Sequence, residues 1–195
     1  MRSEQKEQTR LKMLQAAAEG FRSQGYGIGV DGLAKRAGVT SGAFYVHFGS
    51  KAEAFREAVA YGMEDLLSGV RYFQHEHGQA WWPEFVRFYL GAKRTCDLAQ
   101  SCSLQTLTPE LARANESVRQ LFDAQLRAVA DAVASGPQSP GKPQTQTEAL
   151  VALSSLMGAV TMARALADEP MACLIAQAME ERLLGQAPNG AQPAD

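Results

Sequence analysis

Tyr45, His47 and Lys51 place a phenol hydroxyl, an imidazole and an ammonium within one short stretch, a set suited to phosphate oxygens. Just before them, Thr40-Ser41-Gly42-Ala43 offers two hydroxyls, a glycine that permits close backbone approach, and a methyl group. Other reactive side chains form weaker patterns. Cys96, Cys102 and Cys173 are odd in number and lack any C-x-x-C pair, which argues against a disulfide framework and a zinc knuckle. His75-Glu76-His77 sets its imidazoles two positions apart, without the H-E-x-x-H spacing, so it reads as a solvated loop and no metal site is expected. No glycine-rich phosphate loop, nucleophile elbow or paired catalytic carboxylate occurs, so neither an enzyme nor a cofactor is expected.

Those polar residues need a scaffold. The 195 residues suffice for one sizeable core, or for a small module and a larger one sharing a helix. With 46% hydrophobic and 21% charged residues the chain should fold. No run approaches about 18 uninterrupted apolar residues, and the N-terminus opens with Arg2, Glu4, Lys6, Glu7 and Arg10, so neither export nor membrane insertion is expected and a reducing cytoplasm fits. The net charge of −2 is unevenly spread: residues 1–60 hold nine Lys/Arg against six Asp/Glu, the remainder ten against fifteen. A basic head on an acidic body suits a nucleic-acid module carried by a second domain.

Strand-like alternation is absent, and the chain reads as all-α with about nine helices. Met13, Leu14, Ala17 and Phe21 mark an amphipathic first helix of roughly three turns, stopped at Gly25–Gly29. Short helices follow near Val30–Arg36 and Ser41–His47. A longer one begins after Ser50, with Glu53 completing a Ser-x-x-Glu capping box, and runs to about Ser68. Beyond a polar break at Gln74–Gly78, Trp81–Arg94 is amphipathic, and Pro109 opens a further helix whose buried face carries Val118, Leu121, Phe122, Leu126 and Val129. Ser135–Gln146, with three prolines and two glycines, reads as a mobile loop. Helix resumes around Thr147; Leu150–Ala167 and Pro170–Leu184 are apolar helices, and the tail 186–195 is expected to be disordered.

The two short helices have helix-turn-helix spacing. Ala34 stands where the second helix must cross closely, Gly38 suits the positive φ of the turn, and Thr40 can cap the next helix. Phe44 and Phe48 face inward, leaving Ser41-Gly42-Ala43 as the turn that enters the major groove, Tyr45 and His47 for phosphates, and Lys51 beside the free N–H groups of the following helix. Lys35 and Arg36 stand ready to assist from the second helix. No Arg or Lys lies near Ser41, so bidentate reading of guanine from that turn is not expected.

The run Ala37-Gly38-Val39-Thr40-Ser41-Gly42-Ala43-Phe44-Tyr45-Val46-His47-Phe48-Gly49-Ser50-Lys51 resembles the DNA-binding domain of the TetR family over residues about 5–68. That resemblance implies that Thr40, Ser41, Tyr45, His47 and Lys51 contact DNA. It also implies an N-terminal helix-turn-helix domain (1–50) joined to a helical effector-binding and dimerisation domain (51–185). Gly29 departs from the family pattern, which often has a capping Ser or Thr there.

In a TetR-like arrangement the last two helices pair across a two-fold axis. Small and apolar residues on them agree, with Ser155, Gly158, Ala159, Met162, Ile175 and Met179 as the expected dimer contacts. Trp82, Phe85, Phe88 and Tyr89, with Phe122 facing them, are the expected wall of a pocket for a small apolar or electrophilic effector. The segment Ser101–Ala112 is similar to one in a TetR subgroup, some members of which respond to electrophiles or oxidants through a cysteine there, and Cys102 is the matching residue; Lys93, Arg94 and Arg113 lie close in sequence. The expected function is a ligand- or redox-responsive repressor released from a palindromic operator. A thiol-dependent enzyme and a helical protein-interaction module are the competing classes.

Overall fold

The computed structural model describes residues 2–185, with side chains from residue 7; the tail 186–195 lies outside the described residues. The described chain is all-α: α1 (Arg2–Gln24), α2 (Val30–Ala37), α3 (Ser41–Phe48), α4 (Lys51–His77), α5 (Trp81–Leu90), α6 (Ala92–Thr95), α7 (Ser103–Leu111), α8 (Glu116–Ser135), α9 (Gln146–Ala165) and α10 (Glu169–Leu184). Short 3-10 turns occupy Gly78–Ala80 and Leu98–Gln100.

Several helix limits differ from expectation, each for a local reason. α4 extends past Ser68 because Val70 keeps a buried stripe going, so His75-Glu76-His77 forms the helix's last turn rather than a loop, and Gly78 at φ +49 ends it. The helix starting at Trp81 breaks at Gly91 (φ −94, ψ −87), which creates the single-turn α6 and raises the count to ten among the described residues. Pro109 does not open a helix; it sits inside α7, where its missing N–H removes one i→i−4 bond near the helix end, and α8 starts instead behind Asn115, whose Oδ1 accepts from the Val118 N–H.

Two compact units are present. Among the described residues, the first comprises 2–66 and 97–126, the second 67–96 and 127–185, with α4 and α8 contributing to both. The first unit buries Met13, Ala17, Phe21, Leu33, Ala34, Phe44, Phe48, Phe55, Val59 and Met63. Phe21 meets Phe55 edge-to-face at 5.1 Å, and Phe44 tilts against Phe48 at 4.8 Å. Close approach of α1 to α2 rests on Gly20, where a Cβ would stand 2.7 Å from Leu33 Cδ2 and 3.1 Å from Ile28 Cδ1. α1 also holds the 98–103 segment, its Arg22 donating to the Ala99 carbonyl (2.7 Å) and to Ser103 Oγ (3.4 Å).

The second unit is built on Trp81, Trp82, Phe85, Val86, Val129, Val133, Leu153, Leu156 and Val160, all buried. Its loop before α9 is anchored rather than mobile. Trp81 Nε1 donates to the Pro137 carbonyl (2.8 Å), Trp82 N to Ser139 Oγ (3.1 Å), and the buried Lys142 ammonium to the carbonyls of Ala134 (2.6 Å) and Pro143 (2.9 Å). Ala134 lies in the last turn of α8, so this cation meets the negative end of the helix dipole and needs no carboxylate partner. α9 has the length and apolar composition of a membrane span, yet Ala149, Ala152, Leu153, Leu156, Ala159, Val160 and Ala163 on it are buried within the protein.

Candidate nucleic-acid interface

The helix-turn-helix forms through its caps. α2 starts at Gly29 without a side-chain cap, matching the departure noted in the sequence, and ends at Gly38 in the left-handed conformation (φ +69), whose N–H returns to Ala34 and Lys35 carbonyls. Thr40 caps α3, its Oγ1 accepting from Ala43 N (3.2 Å). Ser50 caps α4 by accepting from Glu53 N (3.0 Å), but the reciprocal half of the expected capping box is absent. Glu53 turns instead to Arg56, whose guanidinium bond holds the Glu53 carboxyl below its ordinary range.

Burial of Phe44 and Phe48 fixes which face of α3 looks outward. Gly42, Tyr45, Val46 and Gly49 are exposed along one stripe, with Tyr45 50% and Val46 84% accessible. A Cβ at Gly42 would meet only Thr40 Oγ1, at 3.9 Å, so its backbone is open to a partner surface. Ala43 and His47 are half-buried at the stripe's edges, and Thr40 is exposed despite its capping bond. The Ser41 hydroxyl is already engaged, donating to the Asp31 carboxylate of α2.

The cations divide similarly. Lys35 is exposed on α2, while Arg36 is drawn onto α1, contacting Ser23 Oγ (3.4 Å) and lying 3.9 Å from Glu19 Oε2. Lys51 heads α4 with its Nζ 4.5 Å from the centre of the Tyr26 ring. Neither Val46 nor Tyr26 was singled out from the sequence. Val46 was legible, since an inward Phe44 and Phe48 force position 46 outward; Tyr26 and Lys51 are brought together only by the fold.

The remaining candidate residues are placed as follows. Trp82, Phe85 and Tyr89 are buried, with Trp82 stacked on Phe85 at 5.9 Å and Phe73 edge-on to Phe85 at 5.6 Å; Phe88 is 39% exposed. Phe122 is half-buried and belongs to the first unit. Trp82 also lines a cleft of about 340 Å3 with Lys142, Val151, Ser155 and Arg182. Cys102 is buried at the position preceding α7. Of the cations near it in sequence, Arg94 is committed to Glu169 (3.0 Å) and Lys93 lies over the Phe88 ring.

On α9 and α10, Met162 is 62% exposed, Ser155, Gly158, Ile175 and Met179 are half-buried, and Ala159 faces its own core. Val151, Met171 and Leu174, at 61%, 50% and 63% exposure, extend the apolar outer surface and were not anticipated.

A three-helix unit presenting an outward stripe on its second short helix is a helix-turn-helix DNA-binding module. Residues 13–58 match the family of bacterial regulatory proteins, tetR family. Over 67 residues the chain is 39% identical to the HTH-type transcriptional activator FasR of Mycolicibacterium smegmatis, a match covering 34% of this chain and 31% of that one, so it spans about a third of the curated relative. A TetR-family regulator of Agrobacterium tumefaciens superposes with a TM-score of 0.70 at 19% identity, covering 90% of this chain and 97% of that one. The reduced form of Escherichia coli NemR also superposes at 0.70, with 16% identity and coverage of 94% and 99%. These likenesses establish the fold. Residues 13–58 therefore carry the DNA-binding region of the tetR family, and the chain as a whole shares the fold of TetR-family regulators.

Proposed function

We propose that this chain binds palindromic operator DNA as a homodimer and represses transcription until a small effector releases it. The observation that carries the DNA contact is the outward stripe of α3, where Gly42, Tyr45 and Val46 stand exposed, with Lys51 at the head of the next helix. Gly42 admits the phosphate backbone, Tyr45 and His47 donate to phosphates, and Lys51 and Lys35 supply charge. Val46 adds an apolar contact of the kind that suits a thymine methyl. With Ser41 held by Asp31 and no arginine on the stripe, specificity falls on half-site spacing and DNA shape.

Dimerisation through α9 and α10 is supported by the exposed Val151, Met162, Met171 and Leu174, apolar groups that a partner copy would bury. The aromatic residues of α5 remain the proposed effector wall, and Cys102 the proposed redox-sensitive position. A cytoplasmic location follows from work on chromosomal DNA.

The test is a titration of promoter DNA from the protein's own locus. Wild type should bind with affinity falling linearly in log salt, and Tyr45→Ala with Lys51→Ala should abolish specific binding. Deletion of the gene should raise transcription of the adjoining promoter; a fall would assign activation instead.

A further inference from the structure

Within the first unit lies a cavity of about 220 Å3 whose walls divide by chemistry. Tyr26 and Phe55 meet edge-to-face at 5.0 Å and give it an aromatic floor, with Phe21 against both rings. Ala52 and Ala114 leave the interior open. Glu110 of α7 and Arg113 of the turn that follows stand on the wall, and neither side chain has a hydrogen-bond or ion-pair partner among the described residues. Elsewhere Arg10, Arg56, Arg87 and Arg94 are all paired with carboxylates. The chain makes room for the Glu110 carboxylate at Gly25: a Cβ there would lie 2.6 Å from Glu110 Oε1, and φ +67 disfavours any other residue.

Opposite charges left unpaired beside an aromatic floor describe a receptor for a zwitterion. The volume lies below the roughly 300–1,000 Å3 of drug-sized pockets, which limits the occupant to about one ring. We propose that this cavity binds a single-ring zwitterion of the aromatic α-amino-acid class, its ammonium on Glu110, its carboxylate on Arg113 and its ring on Tyr26 and Phe55.

The site has a route to the DNA surface. Tyr26 carries Lys51 Nζ at 4.5 Å while lining the cavity, so a ligand pressed against that ring alters the cation aimed at phosphate. This coupling rests on the DNA-binding reading given above; the binding site itself does not.

Calorimetry of the full chain without DNA tests the site, using L-phenylalanine, benzoate and benzylamine as probes. L-phenylalanine should bind saturably, one per chain, with each single-charge probe about tenfold weaker or more. Arg113→Gln should weaken L-phenylalanine and benzoate by a similar factor and spare benzylamine, whereas Glu110→Gln should spare benzoate. A crossed pattern of that kind does not arise from a general loss of structure. Absence of saturable heat with L-phenylalanine up to millimolar concentration, or equal loss of all three probes in both variants, overturns the proposal. With promoter DNA present, L-phenylalanine should change DNA affinity several-fold in wild type and not in Glu110→Gln. Unchanged DNA affinity overturns the coupling alone, and a failure to bind DNA at all counts against the regulator reading instead.

Discussion

Ser41, the first residue of α3, donates its hydroxyl to the carboxylate of Asp31 in the first turn of α2, locking the two helices of the helix-turn-helix together at their N-terminal ends. The bond gives the Ser41 hydroxyl a structural partner and sets a negative charge beside the proposed DNA-contacting surface. Asp31→Asn should therefore raise DNA affinity about two- to fivefold at low salt, an advantage that shrinks as salt rises. Ser41→Ala should weaken binding, because it leaves the Asp31 charge uncompensated. Anisotropy titrations of both variants check this; equal affinities for Asp31→Asn and wild type would show that the carboxylate lies away from the duplex.

Gly62 of α4 and Ser103 of α7 come together more closely than any side chain allows. A Cβ at Gly62 would lie 1.9 Å from Ser103 Oγ and 2.4 Å from its Cβ. Gly62→Ala should destabilise the protein by about 1–3 kcal/mol through overpacking. Adding Ser103→Gly should recover most of that loss, and thermal melts of the four proteins in the cycle measure the coupling.

The ammonium of Lys142 is buried against the end of α8, donating to the Ala134 and Pro143 carbonyls. Lys142→Met keeps the stem and deletes the cap, and should cost about 1–3 kcal/mol in denaturant unfolding. DNA contacts are untouched, so affinity measured well below the melting temperature should stay within about twofold.

Leu174 on α10 and Met162 on α9 are each more than 60% exposed. If that surface is the dimer face, Leu174→Glu buries a charge on association and should yield a monomer in light scattering. Binding to a two-half-site operator should then fall by at least tenfold, as the advantage of linked half-sites is lost. A Leu174→Glu protein that stays dimeric would move the interface elsewhere.

Local signals in the sequence carried most of the helix-turn-helix. Gly38 in the left-handed conformation, Thr40 at the cap and the inward Phe44 and Phe48 stand where residue type alone puts them. What escaped depended on partners distant in sequence. Glu53 abandoned the capping box for Arg56, Arg36 was drawn to α1, and Lys51 found Tyr26. The prolines and glycines of the loop before α9 exclude helix and suggest mobility, yet composition says nothing about a tryptophan whose indole N–H binds one of its carbonyls. Likewise Pro109 suits a first turn by residue type, yet it lies inside α7, a placement that residue type does not dictate.

The central claim, that α3 and the head of α4 form a DNA-contacting surface, is tested most directly by the salt dependence of promoter binding in wild type and Lys51→Ala. Between about 50 and 200 mM salt, the slope of log affinity against log salt should be shallower in Lys51→Ala by about one, for one lost phosphate contact, with a weaker affinity throughout. An unchanged slope and affinity, in a variant that melts like wild type, would contradict it.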